Sequence, residues 1–429
     1  MALRKMPHPE ERPEGASRRT RDAHPASFDP RRVKRDFPIF ANNPGLVFLD
    51  SAASAQKPDA VIDRVSDFYR TDYANVHRGV YRLSAKSSEL YENARETAQR
   101  FLNAADASEI VFVRGATEAI NLVVYSWGQE FLKPGDEVLI TELEHHANIV
   151  PWQILRDRIG FALKVAPIDA TGGLDMAAFE KLVTPRTKMV AVTQLANATG
   201  ALTPIEAIIR LAHAKGAKVL VDGCQAAPRM RVDVRALGCD FYVFSGHKTY
   251  GPTGIGVLYG KRDLLQAMPP WQAGGDMVLN VTFEKTTFQD PPARFEAGTP
   301  DISGAIGLAT ALDYIEALGR EAIEAHEIAL TEYGIDQISR LPGVALVEAG
   351  QRRFGILSLN VEGVHPHDLA TVLDQHGVAV RAGHHCAQPL MEKLGVHATT
   401  RASFGIYNDE SDIDALVAAV KAAQAMFAR

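Results

Sequence analysis

Cysteine is scarce in this sequence, with Cys224, Cys239 and Cys386 the only three among 429 residues. Three thiols without a C-x-x-C pair exclude a disulfide framework and fit a reducing compartment, so a cytoplasmic protein is expected. Excess basic charge is also missing: 46 Lys and Arg stand against 52 Asp and Glu, for a formal net charge of -6. The chain therefore has no overall electrostatic footprint for nucleic acid or for an anionic membrane. Its apolar runs fall short of the roughly 20 residues that cross a bilayer, so no membrane association is expected. Residues 1–28 are rich in Arg, Pro, Glu and Ser and lack an apolar h-region, so this segment is not expected to be a signal peptide. Glu10, Glu11, Glu14 and Asp22 argue against a transit peptide, and the segment reads as a disordered tail. No internal repeat or low-complexity core segment occurs.

What is present is a globular composition, 46% hydrophobic and 23% charged, in a chain long enough for two domains. From about residue 110, short β-rich runs alternate with helical stretches: EIVFVR and TEAINLVVYSW, then EVLI and IVPWQILRDR. KMVAVT, IEAIIRLAHAKG and KVLVDG continue the pattern. That alternation predicts an α/β fold with a mostly parallel sheet flanked by helices. Ahead of it, residues 84–103 place Leu90, Ala94, Ala98, Phe101 and Leu102 on one face of a packing helix. The Pro- and Gly-containing stretch PPARFEAGTP marks a domain junction before the helical run ISGAIGLATALDYIEALG. Beyond it, GILSLN, VAVRAG and TTRASFG read as strands, and HDLATVLDQHG and DIDALVAAVKAAQAMF as helices, forming a smaller α+β domain.

In open α/β sheets ligands collect beyond the carboxyl ends of the strands, which directs attention to polar residues just after apolar runs. CDFYVFSGHKTYGPTGIGVLYG puts Lys248 after one such run, with Ser245 and His247 beside it and Gly251, Gly254 and Gly256 following. A desolvated lysine can lose its proton and attack an aldehyde, and the neighbouring Ser and His can donate to a phosphate. Those features together suit pyridoxal 5′-phosphate held as a Schiff base. An arbitrary lysine in such a place is otherwise a surface turn residue. Asp222 ends the run AKVLVDG, where its carboxylate can pair with a pyridinium nitrogen, and Gln225 can reach the ring hydroxyl oxygen. An Asp after a strand also serves as an ordinary helix N-cap. In VRGATEAIN, Thr117 opens a helix whose N-terminus suits a phosphate, although a plain Thr cap looks the same. In ELEHHANIV, His145 can stack on a cofactor ring or be merely structural.

A metal site would draw on His145, His146, His384, His385 and Cys386. Adjacent residues rarely ligate one ion, and the spaced pairs usual in zinc sites are absent, so no metal is expected. Cys386 follows Gly383 and two histidines and precedes a polar, proline-containing stretch, which indicates a loop rather than a buried apolar position. A free thiol titrates near about 8.5, and Arg381 with the histidines before Cys386 can lower that. Cys224 and Cys239 stand in apolar or strand-edge settings and read as structural.

Taken together, SGHK with GPTGIGVLY, VDGCQA, RGATEAIN, EHHANIVPW, FEAGTP and RAGHHCAQP resemble the class V aminotransferase family of fold-type I pyridoxal-phosphate enzymes. Within it the sequence is similar to the Suf-type (group II) cysteine desulfurase and selenocysteine lyase branch, from LDSAASAQKP at 49–58 almost to the C-terminus. The resemblance implies a homodimer that converts L-cysteine to L-alanine, leaves the sulfur as a persulfide on Cys386, and passes it to a Suf-system acceptor protein for iron–sulfur cluster assembly. It implies Lys248 as the Schiff-base residue and proton-transfer base, and His145 as the ring-stacking residue that assists proton transfer. Asp222 and Gln225 would bind the ring, and Thr117, Ser245 and His247 the phosphate, with Thr299 of FEAGTP contributed across the dimer. Asn197 and Arg401 would bind the substrate carboxylate, with Arg381 a further candidate near Cys386. The implied division is a tail over 1–28, a segment over 29–48 packing on the small domain, a large cofactor domain over 49–295, and a small domain over 296–429 carrying the Cys386 loop. Cys224 in VDGCQA, Ala116 in RGATEAIN, ANATG at 196–200 and Tyr81 after HRGV depart from the common family pattern. Lyase activity on L-selenocysteine, or another lyase of this fold, is the alternative. A non-catalytic scaffold would be expected to lack Lys248 or Cys386.

Overall fold

A computed structural model describes residues 28–428, so of the tail expected over residues 1–28 all but Phe28 lies outside the described residues. The central sheet is built from β1 (Ile110–Val113), β2 (Glu137–Thr141), β3 (Ala162–Ala166), β4 (Thr187–Thr193), β5 (Lys218–Asp222), β6 (Phe241–Ser245) and β7 (Gly256–Gly260). Their spatial order is β1-β7-β6-β5-β4-β2-β3. Only β7 runs antiparallel to its neighbours; the other pairings are parallel. This is the expected mostly parallel α/β sheet.

Burial of both faces explains why its strands read as unbroken apolar runs. Along β6, Tyr242 and Phe244 join one hydrophobic cluster while Phe241 and Val243 join the cluster on the opposite face. Val219 and Val221 of β5 divide from Leu220 in the same way. β3 is the exception: it is a half-exposed edge strand, and its sequence ALKVA carries no such signal.

A second sheet, order β8-β9-β11-β10, comprises β8 (Val344–Leu346), β9 (Ile356–Val361), β10 (Arg381–Gly383) and β11 (Thr399–Ser403), all antiparallel. The helices Arg320–Ser339 and Pro366–Gln375 pack on it, and the helix Glu410–Phe427 packs on those two, placing Leu416 and Val420 in one core with Leu357, Leu359 and Ala402. VAVRAG, expected as one strand, divides between sheets: Val378–Ala379 pairs in parallel with Val47–Phe48, whereas β10 pairs with β11.

The helix Ile302–Leu318, grouped by sequence with the C-terminal part, shares its core with the large sheet and packs on the helices Arg82–Leu102 and Asp59–Asp67. Gly307 permits that approach, since an added Cβ would lie 2.6 Å from Val65 and 2.7 Å from Pro252. Just before this helix, Glu296 of FEAGTP receives Arg95 at 2.7 and 2.9 Å, Tyr91 at 2.9 Å and the Phe112 amide at 2.7 Å. Such a part-buried carboxylate, paired on both oxygens, fixes the segment against the long helix. Among the described residues no helix is long and apolar enough to cross a membrane.

Candidate active site

The carboxyl ends of the central strands open onto a cavity of about 240 Å³. Lys248, Asp222, Gln225, Ser245, His247, His145, Thr117, Asn197, Arg381, Arg401 and Cys386 all line it, so every sequence candidate except Thr299 converges there. Thr299 lines a different groove, near Phe112 and Gly254 of the same chain. A larger cavity of about 670 Å³ beside Thr203, Met230 and Arg352 has no lysine, histidine or cysteine in its wall. Chemistry, not size, therefore singles out the smaller one.

One end of the cavity is made by β6 and the turn between β1 and the helix Ala116–Leu122. Lys248 closes a single 3₁₀ turn, Gly246–Lys248, that leaves β6 directly. Ser245, at the strand end, accepts the Ala116 amide proton at 2.9 Å on its Oγ. The close approach depends on glycine: a Cβ on Gly256 would lie 2.6 Å from the Gly115 Cα. Thr117 is exposed on the first turn of the helix. His247 shares its Nδ1 with Ser54 Oγ at 3.2 Å, and burial, with the charges of Lys248 and Lys57, pushes its pKa down to about 4.

The floor comes from β5. Asp222 is buried and accepts the Cys224 amide proton at 2.9 Å, while Gln225 donates through Nε2 to the Ala52 carbonyl at 2.8 Å. Gly223 between them is obligatory, because a Cβ there would overlap the Tyr242 ring. Cys224 also lines the cavity, its Sγ 3.7 Å from Ser245 Oγ, and burial pushes its thiol up to about 12. Cys239 is likewise buried, with its thiol pushed up to about 12.

His145 follows β2. Its Nδ1 accepts the Ala147 amide proton at 3.0 Å, which leaves Nε2 as the proton-bearing nitrogen of the neutral ring. Burial, then the Lys248 charge, lowers its pKa to about 4. Sequence reasoning missed the residue before it. Glu144 is fully buried and receives Thr141 Oγ1 at 2.6 Å, Asn148 Nδ2 at 2.7 Å and the Thr193 amide at 3.0 Å. Burial, reinforced by the Asp222 charge, pushes its pKa up to about 8. A buried acid beside the histidine was the only available signal.

The mouth is formed by the small sheet. Arg401 on β11 is buried; it donates to the Asn197 carbonyl at 2.8 Å and to Asp50 Oδ1 at 3.2 Å, and its Nε has no partner. Burial lowers its pKa to about 10. Asn197 Nδ2 donates to the His385 carbonyl at 2.6 Å, and His385 Nε2 lies 2.8 Å from Thr399 Oγ1. Cys386 is exposed and, like His385, has a left-handed backbone at φ 54°. Among the described residues no group of three or more His, Cys, Asp or Glu side chains is arranged to hold a metal ion.

The family model for class-V aminotransferases matches residues 47–416. The chain belongs to that family. A cysteine desulfurase of Pectobacterium atrosepticum is 50% identical over 399 residues, covering 92% of this chain and 98% of the relative. A probable cysteine desulfurase of Mycobacterium leprae is 51% identical over 397 residues; the match covers 92% of this chain but only 65% of that longer protein. The crystal structure of an Escherichia coli cysteine desulfurase superposes with a TM-score of 0.88 at 41% identity, covering 94% of this chain and 100% of that one. The family's cofactor is pyridoxal 5′-phosphate. The cavity suits it chemically, joining an amine, a buried carboxylate, hydroxyls and neutral imidazoles around one space.

Proposed function

We propose that this chain is a Suf-type cysteine desulfurase that uses pyridoxal 5′-phosphate to convert L-cysteine to L-alanine. The observation that carries the reading is that Lys248 and the exposed Cys386 open onto the same cavity. The family match and the desulfurase relatives support it.

In this reading Lys248 holds the cofactor aldehyde, Asp222 the ring nitrogen and Gln225 the phenolic oxygen, with Thr117, Ser245 and His247 at the phosphate. The bound cofactor supplies an electron sink that acidifies the substrate α-proton and weakens the Cβ–S bond. Arg401 and Asn197 orient the substrate carboxylate, with Arg381 beside them. The Lys248 amine takes the α-proton and later returns one. His145, neutral and proton-bearing at Nε2, packs on the ring and assists proton transfer. The Cys386 thiolate attacks the substrate sulfur, so an S–S bond forms as Cβ–S breaks, and the electron pair left on carbon accepts the proton that completes alanine. Cys386 retains the sulfur as a persulfide for a Suf-type acceptor protein, feeding iron–sulfur cluster assembly in the cytoplasm.

A homodimer belongs to the same reading, with Thr299 of one copy completing the phosphate site of the other. The hairpin pairing Val278–Val281 with Thr286–Phe288 supports it by leaving Leu279, Val281 and Phe283 exposed. The deciding experiment is Cys386→Ala. The variant is expected to keep the cofactor absorbance and borohydride trapping at Lys248 while losing persulfide formation from cysteine; retained sulfur transfer overturns the proposal.

A further inference from the structure

His145 and His146 are adjacent in sequence but serve different surroundings, with ring centroids 6.2 Å apart and planes inclined by 48°. His145 lines the cavity, whereas His146 engages the Cys386 loop at two points. Its backbone N–H donates to the Cys386 carbonyl at 2.8 Å. Its Nε2 accepts the Gln388 amide proton at 3.0 Å, which requires an unprotonated Nε2 and so the neutral Nδ1–H tautomer.

The loop needs an external hold. His385 and Cys386 are consecutive non-glycine residues in left-handed conformation, a backbone that persists only where its surroundings enforce it. Upstream, the hold is the Asn197 bond to the His385 carbonyl and the His385–Thr399 contact. Downstream, the helix Gln388–Lys393 begins at Ala387, which has no capping side chain. The His146 imidazole takes the place of that cap from 242 positions away in sequence.

We infer that His146 is a positioning residue that brackets Cys386, its imidazole Nε2 tethering the loop so that the thiol stays at the mouth of the Lys248 cavity. The meaning of that placement rests on the desulfurase reading; the tether itself does not. Protonating the imidazole turns its acceptor into a donor and breaks the bond to Gln388, so the loop loosens in acid. Burial and the nearby His384 hold the His146 pKa below its ordinary value. The other ionisable groups on the packed elements are His145, Cys386 and His385, whose pKa burial lowers to about 3; Glu118, paired with Arg114 at 2.8 Å; Arg156 and Asp157, paired with each other at 2.8 Å, and Arg158; Glu392, which accepts from the Gln388 side chain at 3.1 Å; and Lys393, paired with Glu142 at 3.3 Å. The carboxylates already have partners, so the imidazole is the acid-sensitive link.

The test is hydrogen–deuterium exchange of the cofactor-loaded enzyme over residues 384–390, corrected for intrinsic exchange, at pH 7.5 and about pH 5. His146→Ala is expected to speed exchange of this segment about tenfold at pH 7.5, the loss of one hydrogen bond in a marginal loop. Wild type should approach the Ala variant at the lower pH. His146→Gln, which offers a carbonyl acceptor that does not titrate, should stay protected at both. Unchanged exchange in folded His146→Ala, or an identical acid response in wild type and His146→Gln, overturns the inference. Should His146→Ala fail to fold, the comparison of His146→Gln with wild type decides alone. None of these readouts depends on turnover, so failure of the desulfurase reading shows separately, as sulfur transfer retained by Cys386→Ala.

Discussion

Arg381 and Arg401 are direct register partners across the antiparallel pair β10 and β11, two guanidinium groups side by side at the mouth of one cavity. Like charges directly opposite destabilise a sheet, and here each contributes to a field that favours an anion. Asp50 offsets part of it, 3.2 Å from Arg401, and the substrate carboxylate would offset more. Arg401→Lys keeps the charge but cannot span both Asn197 and Asp50. The expected outcome in steady-state kinetics is a KM for L-cysteine raised about 10- to 100-fold, with kcat much less affected and the cofactor spectrum unchanged. An unchanged KM would remove Arg401 from the carboxylate site.

Three histidines at the site titrate low: His145 and His247 near 4 and His385 near 3, each chiefly through burial. A folded-state pKa below the unfolded value of about 6.5 means that the unfolded chain binds the proton first as pH falls. Stability is therefore intact above about pH 6.5 and declines through the window down to pH 4 to 3. Each unit in that window removes at most about 1.4 kcal/mol per histidine, and less at the partly solvated His145 and His247. Urea midpoints measured from pH 7.5 to 4.5 should fall progressively; a flat profile to pH 4.5 would contradict the neutral-imidazole assignment.

If Cys386 is needed only to receive sulfur, substrates with a better leaving atom need it less. Selenium departs more readily than sulfur, so Cys386→Ala should retain alanine production from L-selenocysteine while losing it from L-cysteine by a factor of about 100 or more. Alanine quantified from both substrates, in wild type and variant, checks this. Equal loss on both would give Cys386 a role beyond accepting the chalcogen.

How far the sequence revealed this site depends on the range of the contacts involved. Lys248, Asp222 and Gln225 stand out because they follow apolar strands whose two faces are both buried, a local pattern. Asp50 and Glu144 do not, because their significance lies in partners from other elements: Arg401 for the first and the Thr193 amide for the second. The hold of His146 on Gln388 spans 242 positions and leaves no periodicity to find. In the fold, β3 escaped notice for want of an apolar run, and the helix Arg320–Ser339 because its apolar residues are spread around its circumference. VAVRAG divided because Val378–Ala379 found its partner in Val47–Phe48, over 300 residues earlier in the chain.

Glu144 offers the sharpest check of what lies behind the catalytic face. Thr141, Asn148 and the Thr193 amide all donate to it, joining β2, the 3₁₀ turn His146–Asn148 and the end of β4 around the residue that precedes His145. Asn148 in turn accepts from Trp152 Nε1 at 3.2 Å, so the network reaches the core. Glu144→Ala leaves buried donors unpaired and should cost about 3 kcal/mol or more, enough to confuse altered placement with unfolding. Glu144→Gln is the cleaner variant: with its pKa pushed up to about 8 the acid is mostly protonated at pH 7, so glutamine keeps its one carbonyl oxygen and replaces its O–H by an NH₂ that must face a former donor. Thr141 can reverse its hydroxyl to accommodate that group, whereas the Thr193 amide cannot. The expected result is a loss of about 1–2 kcal/mol in urea unfolding with the cofactor retained. A fall of roughly tenfold in kcat should accompany it as His145 loses its support. If the variant matches wild type in both stability and kcat, the buried acid is only filling space.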